Sequence, residues 1–265
     1  MEWGQGLLLG AIQGLTEFLP VSSSGHLLLV SRVFGIAAHS LAFDVFLHFG
    51  TLVAVVFAYR RTLWRLVTRP WDRLALLLLI GTSPAVLAGV VLEAEFARVF
   101  HSGATLGIEF VLTGLLLLWA EAKRMDDDRL DPAPGGAGKP ITGRRALWIG
   151  CAQGAAIMPA LSRSGLTMAT ALALGVSREQ AVDFSFLLSI PVIAGATLLE
   201  VRRLPLGGIS PALWAGMLAS AVTGYVAIRF VTRFVRRGKL NVFGYYTVAV
   251  GLAVIVDQFV THRAF

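Results

Sequence analysis

Two short polar islands interrupt an otherwise apolar chain, and they repeat one another. The first reads QGLTEFLPVSSSGH, from Gln13 to His26, and the second QGAAIMPALSRSG, from Gln153 to Gly165. Gln13 and Gln153, Gly14 and Gly154, Ser24 and Ser164, Gly25 and Gly165, and Gly35 and Gly175 each lie 140 residues apart; Pro20 and Pro159 slip by one. Each island puts a proline, serines and a glycine where the flanking sequence would otherwise continue as a membrane helix. Broken backbone at membrane depth is tolerated only when buried in protein or lining a polar cavity, so the islands are predicted to form a site.

The membrane reading rests on composition. The chain is 56% hydrophobic and 15% charged, against about a quarter charged in soluble domains. Several apolar runs reach the roughly 20 residues that cross about 30 Å of hydrocarbon. They do not alternate as barrel strands would. The predicted class is an all-α polytopic membrane protein. A formal charge of +7 raises nucleic acid as a partner, but the cations sit in short loops between apolar runs. That pattern belongs to membrane orientation, so no nucleic acid is expected. The single cysteine, Cys151, excludes an internal disulfide and reads as a small helix residue. MEWGQG lacks a basic leader, so no cleavable signal is expected.

Six continuous spans are expected: Leu41–Tyr59, Leu74–Leu92, Leu106–Trp119, Ala181–Leu199, Leu213–Val231 and Val242–Val260. The third is short and is expected to extend at both ends. Before the first and fourth spans, the islands are predicted to form re-entrant helix-break-helix hairpins. Asp44 and Asp183 repeat at 139, Gly89 and Gly224 at 135, and Gly107/Gly244 and Gly114/Gly251 at 137. These echoes divide a single membrane domain into a first repeat, 1–122, and a second, 146–265. Residues 123–145, rich in Asp, Pro, Gly and basic residues, read as a cytoplasmic linker.

Three crossings per half force the second half upside down, an inverted-topology repeat. Arg60, Arg61, Arg65, Arg69 and Arg73 follow the first span. Lys123, Arg124, Arg129, Lys139, Arg144 and Arg145 follow the third, and Arg229, Arg233, Arg236, Arg237 and Lys239 lie at the end of the fifth and between it and the sixth. The intervening loops hold only Arg98 and the pair Arg202 and Arg203. The basic loops therefore face the cytoplasm, hairpin one enters from outside and hairpin two from inside.

Gln13 and Glu17 share a helix face. Ser22, Ser23 and Ser24 lead into Gly25 and His26, a serine-capped helix start whose N–H groups suit an anionic oxygen. Ser162, Arg163, Ser164 and Gly165, followed by Thr167, repeat that start with a guanidinium matched to phosphate. A carboxylate, hydroxyls, a histidine and an arginine fit phosphoryl chemistry, with a divalent cation bridging Glu17 and phosphate. Other polar residues have plainer readings. Asp44 and Asp183 read as caps near span starts. His48, four after Asp44, reads as structural, with a place facing the site as its alternative. Asp126, Asp127 and Asp128 read as a solvated run, and Glu93 and Glu95 as a span end.

EFLPVSSSGH, preceded by a Gln or Glu four before its Glu, resembles the signature of the undecaprenyl pyrophosphate phosphatase family, also called the bacitracin-resistance proteins. PALSRSG resembles that family's PGxSRSG motif, and the likeness extends to FDVFLHFGTL and DFSFLL. The resemblance implies an integral enzyme of the bacterial inner membrane that removes the terminal phosphate of a C55 polyprenyl pyrophosphate and recycles the carrier for cell-wall synthesis. It implies stimulation by Mg²⁺ or Ca²⁺ and a site open to the periplasmic side. Its acidic motif falls on Gln13 and Glu17, its proposed nucleophile on Ser23, its histidine on His26 and its phosphate-binding arginine on Arg163. Gln13 stands where some members have glutamate, which leaves one carboxylate for metal. Ala160 replaces a glycine and is expected to stiffen its turn. Ser22, Ser24, Gly25, Ser162, Ser164, Gly165, Thr167 and Gln13 are expected around the substrate. The expected partners are the polyprenyl lipid and membrane lipid, with a homodimer open. A lipid-phosphate flippase or small-anion carrier is the alternative, because inverted repeats with broken helices are a transporter plan.

Overall fold

The computed structural model describes residues 2–36, 41–102, 105–130, 138–156, 158, 160–201, 210–236 and 240–261. Pro159, Arg202, Arg203, Arg237 and Lys239 lie outside them, as do the side chains of Glu93, Glu95, Arg98, Asp126, Asp127, Asp128, Arg129 and Arg236. The described residues form helices and no strand. Two broken helix pairs each lead a run of longer helices. α1 (Trp3–Phe18) and α2 (Ser23–Val33) lead into α3 (Leu41–Ala58), α4 (Arg60–Thr68), α5 (Arg73–Ser102) and α6 (Leu106–Leu130). α7 (Gly143–Ala155) and α8 (Arg163–Ala173) lead into α9 (Arg178–Val201), α10 (Pro211–Arg236) and α11 (Leu240–Val256), closed by a π-helical turn at Asp257–Thr261.

The expected spans fall on α3, α5, α6, α9, α10 and α11. By length and composition, four described helices can cross a membrane: Arg73–Val91, Arg178–Leu199, Pro211–Val235 and Leu240–Val260. A fifth appears if α3 and α4, bent by 77°, count as one span. α6 is long, but Glu109, Glu121, Lys123 and Arg124 dilute its apolar run. It grows only at its C-terminal end, since Thr105 is a turn, and its helix runs through residues 123–130 of the segment read as linker. Asp183 is no cap: it lies inside α9 and accepts a hydrogen bond from Tyr59 Oη at 2.7 Å.

Small residues let the helices touch backbone to backbone. On α1, a Cβ at Gly10 would stand 2.1 Å from the Gly216 carbonyl oxygen of α10. At the repeat-related position, a Cβ at Gly150 of α7 would stand 2.3 Å from the Gly81 carbonyl oxygen of α5. α6 and α11 exchange such contacts. Gly107 lies against Gly251, and Gly114 against Gly244, so the repeat mates cross over rather than pair with themselves. One large core cluster draws on both halves, with Phe18, Leu117, Ile149, Met168, Leu172 and Phe186 fully buried. Apolar side chains such as Leu79, Val90 and Tyr245 face outward, as they do where lipid is the solvent.

At one end of the molecule several basic segments meet. Arg73 Nη2 donates to the Ile141 carbonyl at 3.1 Å. The Gly175 carbonyl accepts the Lys139 backbone N–H at 2.8 Å and Arg124 Nη1 at 3.4 Å. Arg178 pairs with buried Glu121 at 2.6 Å.

Candidate active site

Local chemistry breaks both helix pairs. α1 stops because the residue before a proline is pushed out of helical conformation: Leu19 is extended, with ψ 142°. The chain then turns through Ser22, whose φ of +70° makes it the one described non-glycine residue in the left-handed region. Ser22 caps α2 by accepting the Gly25 N–H at 3.3 Å. Ser162 caps α8 by accepting the Gly165 N–H at 3.1 Å. Both helices have 11 residues and end on a left-handed glycine, Gly35 at φ +59° and Gly175 at φ +80°. The closing bonds match too: Ile36 N–H to Ser31 O, and Val176 N–H to Ala171 O. The echo in the sequence is thus one short helix built twice, with the same start and stop.

The two copies meet at Glu17. Its Oε1 accepts Arg163 Nη2 at 2.8 Å, and its Oε2 accepts Ser23 Oγ at 2.7 Å and Gln13 Nε2 at 2.9 Å. The Glu17 side chain is 7% exposed and that of Arg163 14%. Buried so deeply, the carboxylate requires this set of donors, which satisfies both oxygens. Arg163 Nη1 also donates to the Ser185 carbonyl at 3.3 Å. Ser164 Oγ donates to the Leu19 carbonyl at 2.9 Å, tying the second island to the first break. Thr167 Oγ1 donates to the Arg163 carbonyl and shares a 2.6 Å hydrogen bond with Ser185 Oγ. Gln13, Glu17, Ser23, Arg163, Ser164 and Thr167 are thereby joined. Ser22, Gly25, Ser162 and Gly165 form the caps beneath them, and Ser24 lies in the first turn of α2.

His26 points elsewhere. Its Nδ1 lies 2.6 Å from the Ser22 carbonyl and its Nε2 2.8 Å from Tyr246 Oη. A carbonyl only accepts, so Nδ1 carries the hydrogen and Nε2 accepts from the tyrosine. The histidine beside the carboxylate is His48: its Nδ1 is 3.0 Å from Gln13 Nε2 and 3.6 Å from Glu17 Oε2. Its sequence signals are its place one turn after Asp44 and within FDVFLHFGTL. Ser185 carries a signal only as part of DFSFLL, and Glu109, Thr113 and Tyr246 carry none, because scattered polar residues in apolar helices usually serve packing. Glu109 Oε2 accepts the Ala160 N–H at 2.6 Å and Thr113 Oγ1 accepts the Ser162 N–H at 3.3 Å, both on the second break. The methyl of Ala160 joins a small cluster with Leu106, Phe110 and Val254.

Among the described residues no three His, Cys, Asp or Glu side chains gather into a metal cluster. A magnesium ion does not need one, since it commonly takes one or two carboxylates with phosphate oxygens and water. Glu17 fits that habit. Gln13 Oε1, on the side chain whose Nε2 donates to Glu17, is buried with no hydrogen-bond partner, a further oxygen close by.

The family model described as bacitracin resistance protein BacA matches residues 6–253. An undecaprenyl-diphosphatase of Carboxydothermus hydrogenoformans is 43% identical over 261 residues, covering 96% of this chain and 97% of its own. Undecaprenyl-diphosphatase 3 of Bacillus cereus is 39% identical over 263 residues, 98% of each chain. An undecaprenyl-diphosphatase of Korarchaeum cryptofilum is 38% identical over 275 residues, covering 96% of this chain and 99% of its own. With a match running almost from end to end and both islands inside it, the chain belongs to the bacitracin resistance protein BacA family.

Proposed function

We propose that the chain hydrolyses undecaprenyl pyrophosphate to undecaprenyl phosphate and phosphate, recycling the lipid carrier of cell-wall synthesis and conferring bacitracin resistance. One observation carries the reading: a single buried carboxylate, Glu17, holds the Ser23 hydroxyl on one oxygen and the Arg163 guanidinium on the other. A base already bonded to a nucleophile, with a phosphate-binding fork beside it, is the arrangement phosphoryl transfer requires.

In the mechanism, Glu17 takes the proton of Ser23 as its Oγ attacks the terminal phosphorus. The bond to the bridging oxygen breaks and undecaprenyl phosphate leaves. Water then cleaves the phosphoserine, releasing phosphate. In the variant without a covalent step, Ser23 orients the attacking water. Arg163 spends two of its five donors on Glu17 and Ser185 and offers the others to phosphate. The N-termini of α2 and α8 supply N–H groups to the same charge. A divalent cation, Mg²⁺ or Ca²⁺, would be held by Glu17 and Gln13 Oε1 and would neutralise developing charge on phosphate.

The proposed setting is a multi-pass protein of the bacterial inner membrane. It has six crossings and two re-entrant hairpins, repeats over 1–122 and 146–265, and a cytoplasmic linker over 123–145. The crossed glycine contacts of α6 and α11 support an inverted repeat. The meeting of Arg73, Arg124 and Lys139 at one end supports a cytoplasmic face there and a site open to the periplasmic side. α4, amphipathic and without a buried residue, would lie along the cytoplasmic interface. The substrate is the polyprenyl pyrophosphate lipid, and a homodimer is the assembly to test.

Phosphate release from undecaprenyl pyrophosphate by the purified protein in proteoliposomes is the test. Release is expected from the wild type and its loss from both Glu17→Ala and Arg163→Ala. Normal turnover in both variants would remove the site. Lipid or anion flux without phosphate release would favour a carrier instead.

A further inference from the structure

We propose that Tyr246 and Glu109 are positioning residues for the reaction, each fixing from the opposite half the backbone break that presents a site side chain. The inference rests on the hydrolase reading above. Glu109 on α6 and Tyr246 on α11 lie 137 residues apart, the offset that also relates Gly107 to Gly244 and Gly114 to Gly251. They are the same position of the repeated third crossing, occupied by different chemistry.

Tyr246 belongs to the second half and serves the first island. Its hydroxyl donates to His26 Nε2, and His26 Nδ1–H donates to the Ser22 carbonyl. This relay ends on the left-handed residue directly before Ser23. A serine at φ +70° persists only where its surroundings hold it. The Val21 backbone and two rings complete the surroundings of His26. It stacks on Tyr246, with planes 12° apart, and packs edge-to-face with Phe110, ring centroids 5.2 Å apart. The phenol hydroxyl is the partner at Nε2, opposite the backbone contacts of Nδ1, and so holds the far edge of the imidazole.

Glu109 belongs to the first half and serves the second island. It is 3% exposed, and its carboxylate accepts the Ala160 N–H and the Thr105 hydroxyl. One turn later Thr113 accepts the Ser162 N–H. Two side chains four residues apart on α6 thus take two amides of the break immediately before Arg163. The bracing is crossed: each third crossing holds the island of the other half. The two islands must stay in register for Ser23 and Arg163 to meet at Glu17, and each brace fixes one of them. Misplacing a reacting group by about 1 Å costs on the order of 100-fold in rate.

The test compares Tyr246→Phe, Glu109→Gln and Glu109→Leu with the wild type in proteoliposomes, measuring kcat and KM for phosphate release and the melting temperature. Tyr246→Phe keeps the ring and loses only the hydroxyl. It is expected to lower kcat about 10- to 100-fold, with KM within about twofold and only a modest fall in melting temperature. A merely structural role would leave kcat per folded molecule alone. Glu109→Gln still accepts from Ala160 and is expected to stay within about threefold of the wild type. Glu109→Leu is expected to fall about as far as Tyr246→Phe, and if it does not fold, Tyr246→Phe decides. A wild-type kcat in Tyr246→Phe, or equal losses in the two Glu109 variants, overturns the inference and leaves the hydrolase reading standing. No phosphate release by the wild type overturns both.

Discussion

The Glu17–Arg163 pair is the only ionic link between the two islands among the described residues, and its strength can be measured by a double-mutant cycle. Removing one member of a buried pair strands the other charge and costs about 3–5 kcal/mol. The structure predicts an asymmetry within that range. After Arg163→Met, Glu17 keeps Ser23 and Gln13 as donors on Oε2, so the loss is expected near 3 kcal/mol, the low end for a broken buried pair. After Glu17→Met, Arg163 keeps only the Ser185 carbonyl at 3.3 Å, and the loss is expected near 5 kcal/mol, the high end. The double variant buries no charge. It forfeits the bonds from Ser23 and Gln13, at about 1 kcal/mol each. Its cost is thus expected near 2 kcal/mol, far below the sum of the two single variants. The coupling these losses imply is about 6 kcal/mol, twice the roughly 3 kcal/mol that residues in contact usually reach. Equilibrium unfolding by SDS in mixed micelles, followed by circular dichroism, measures all four proteins. Additive losses, or a Glu17→Met milder than Arg163→Met, would refute the reasoning.

The break and the helix contacts make two further predictions. Ser22→Gly removes the side-chain strain of φ +70° and loses little capping, whereas Ser22→Ala keeps the strain and loses the cap; the glycine variant should be more stable by about 1 kcal/mol or more. Thermal melting in detergent ranks them, and an alanine variant as stable as the glycine would show that Ser22 is not strained. Gly10→Ala puts a methyl 2.1 Å from the Gly216 carbonyl oxygen; forcing α1 off α10 should cost about 1–3 kcal/mol. The same unfolding titration reads it, and an unchanged midpoint would mean the helices are not so close.

The membrane class, the positions of the helices and the two breaks were legible in the sequence because each follows from local physics. An apolar run of sufficient length becomes a helix. Pro20 and the serine-glycine turns stop one wherever they stand, and a 140-residue echo reports a repeated shape. Glu17, the serine cluster and Arg163 were legible for the same reason, since polar residues at a break in an apolar chain have little else to do; the choice of Ser23 among the serines came from the family resemblance. Less legible were the lengths of helices whose apolar run fades gradually, as α6 does beyond Trp119.

What the sequence by itself determined is therefore where the chain breaks and which groups it offers there. The tertiary structure alone decided which of them meet. Glu17 takes its cation from a residue 146 positions away. His26, two residues after the last of the serines, turns to Tyr246 on the last long helix, and His48 occupies the place beside the carboxylate instead. A single glutamate in an apolar run, Glu109, ends on a distant backbone amide. Such pairings depend on how closely helices approach and how they are rotated. Those are set by small residues in contact across the bundle, such as Gly10 on Gly216 and Gly107 on Gly251. Local spacing encodes the face a residue occupies, and only packing supplies the partner that face meets.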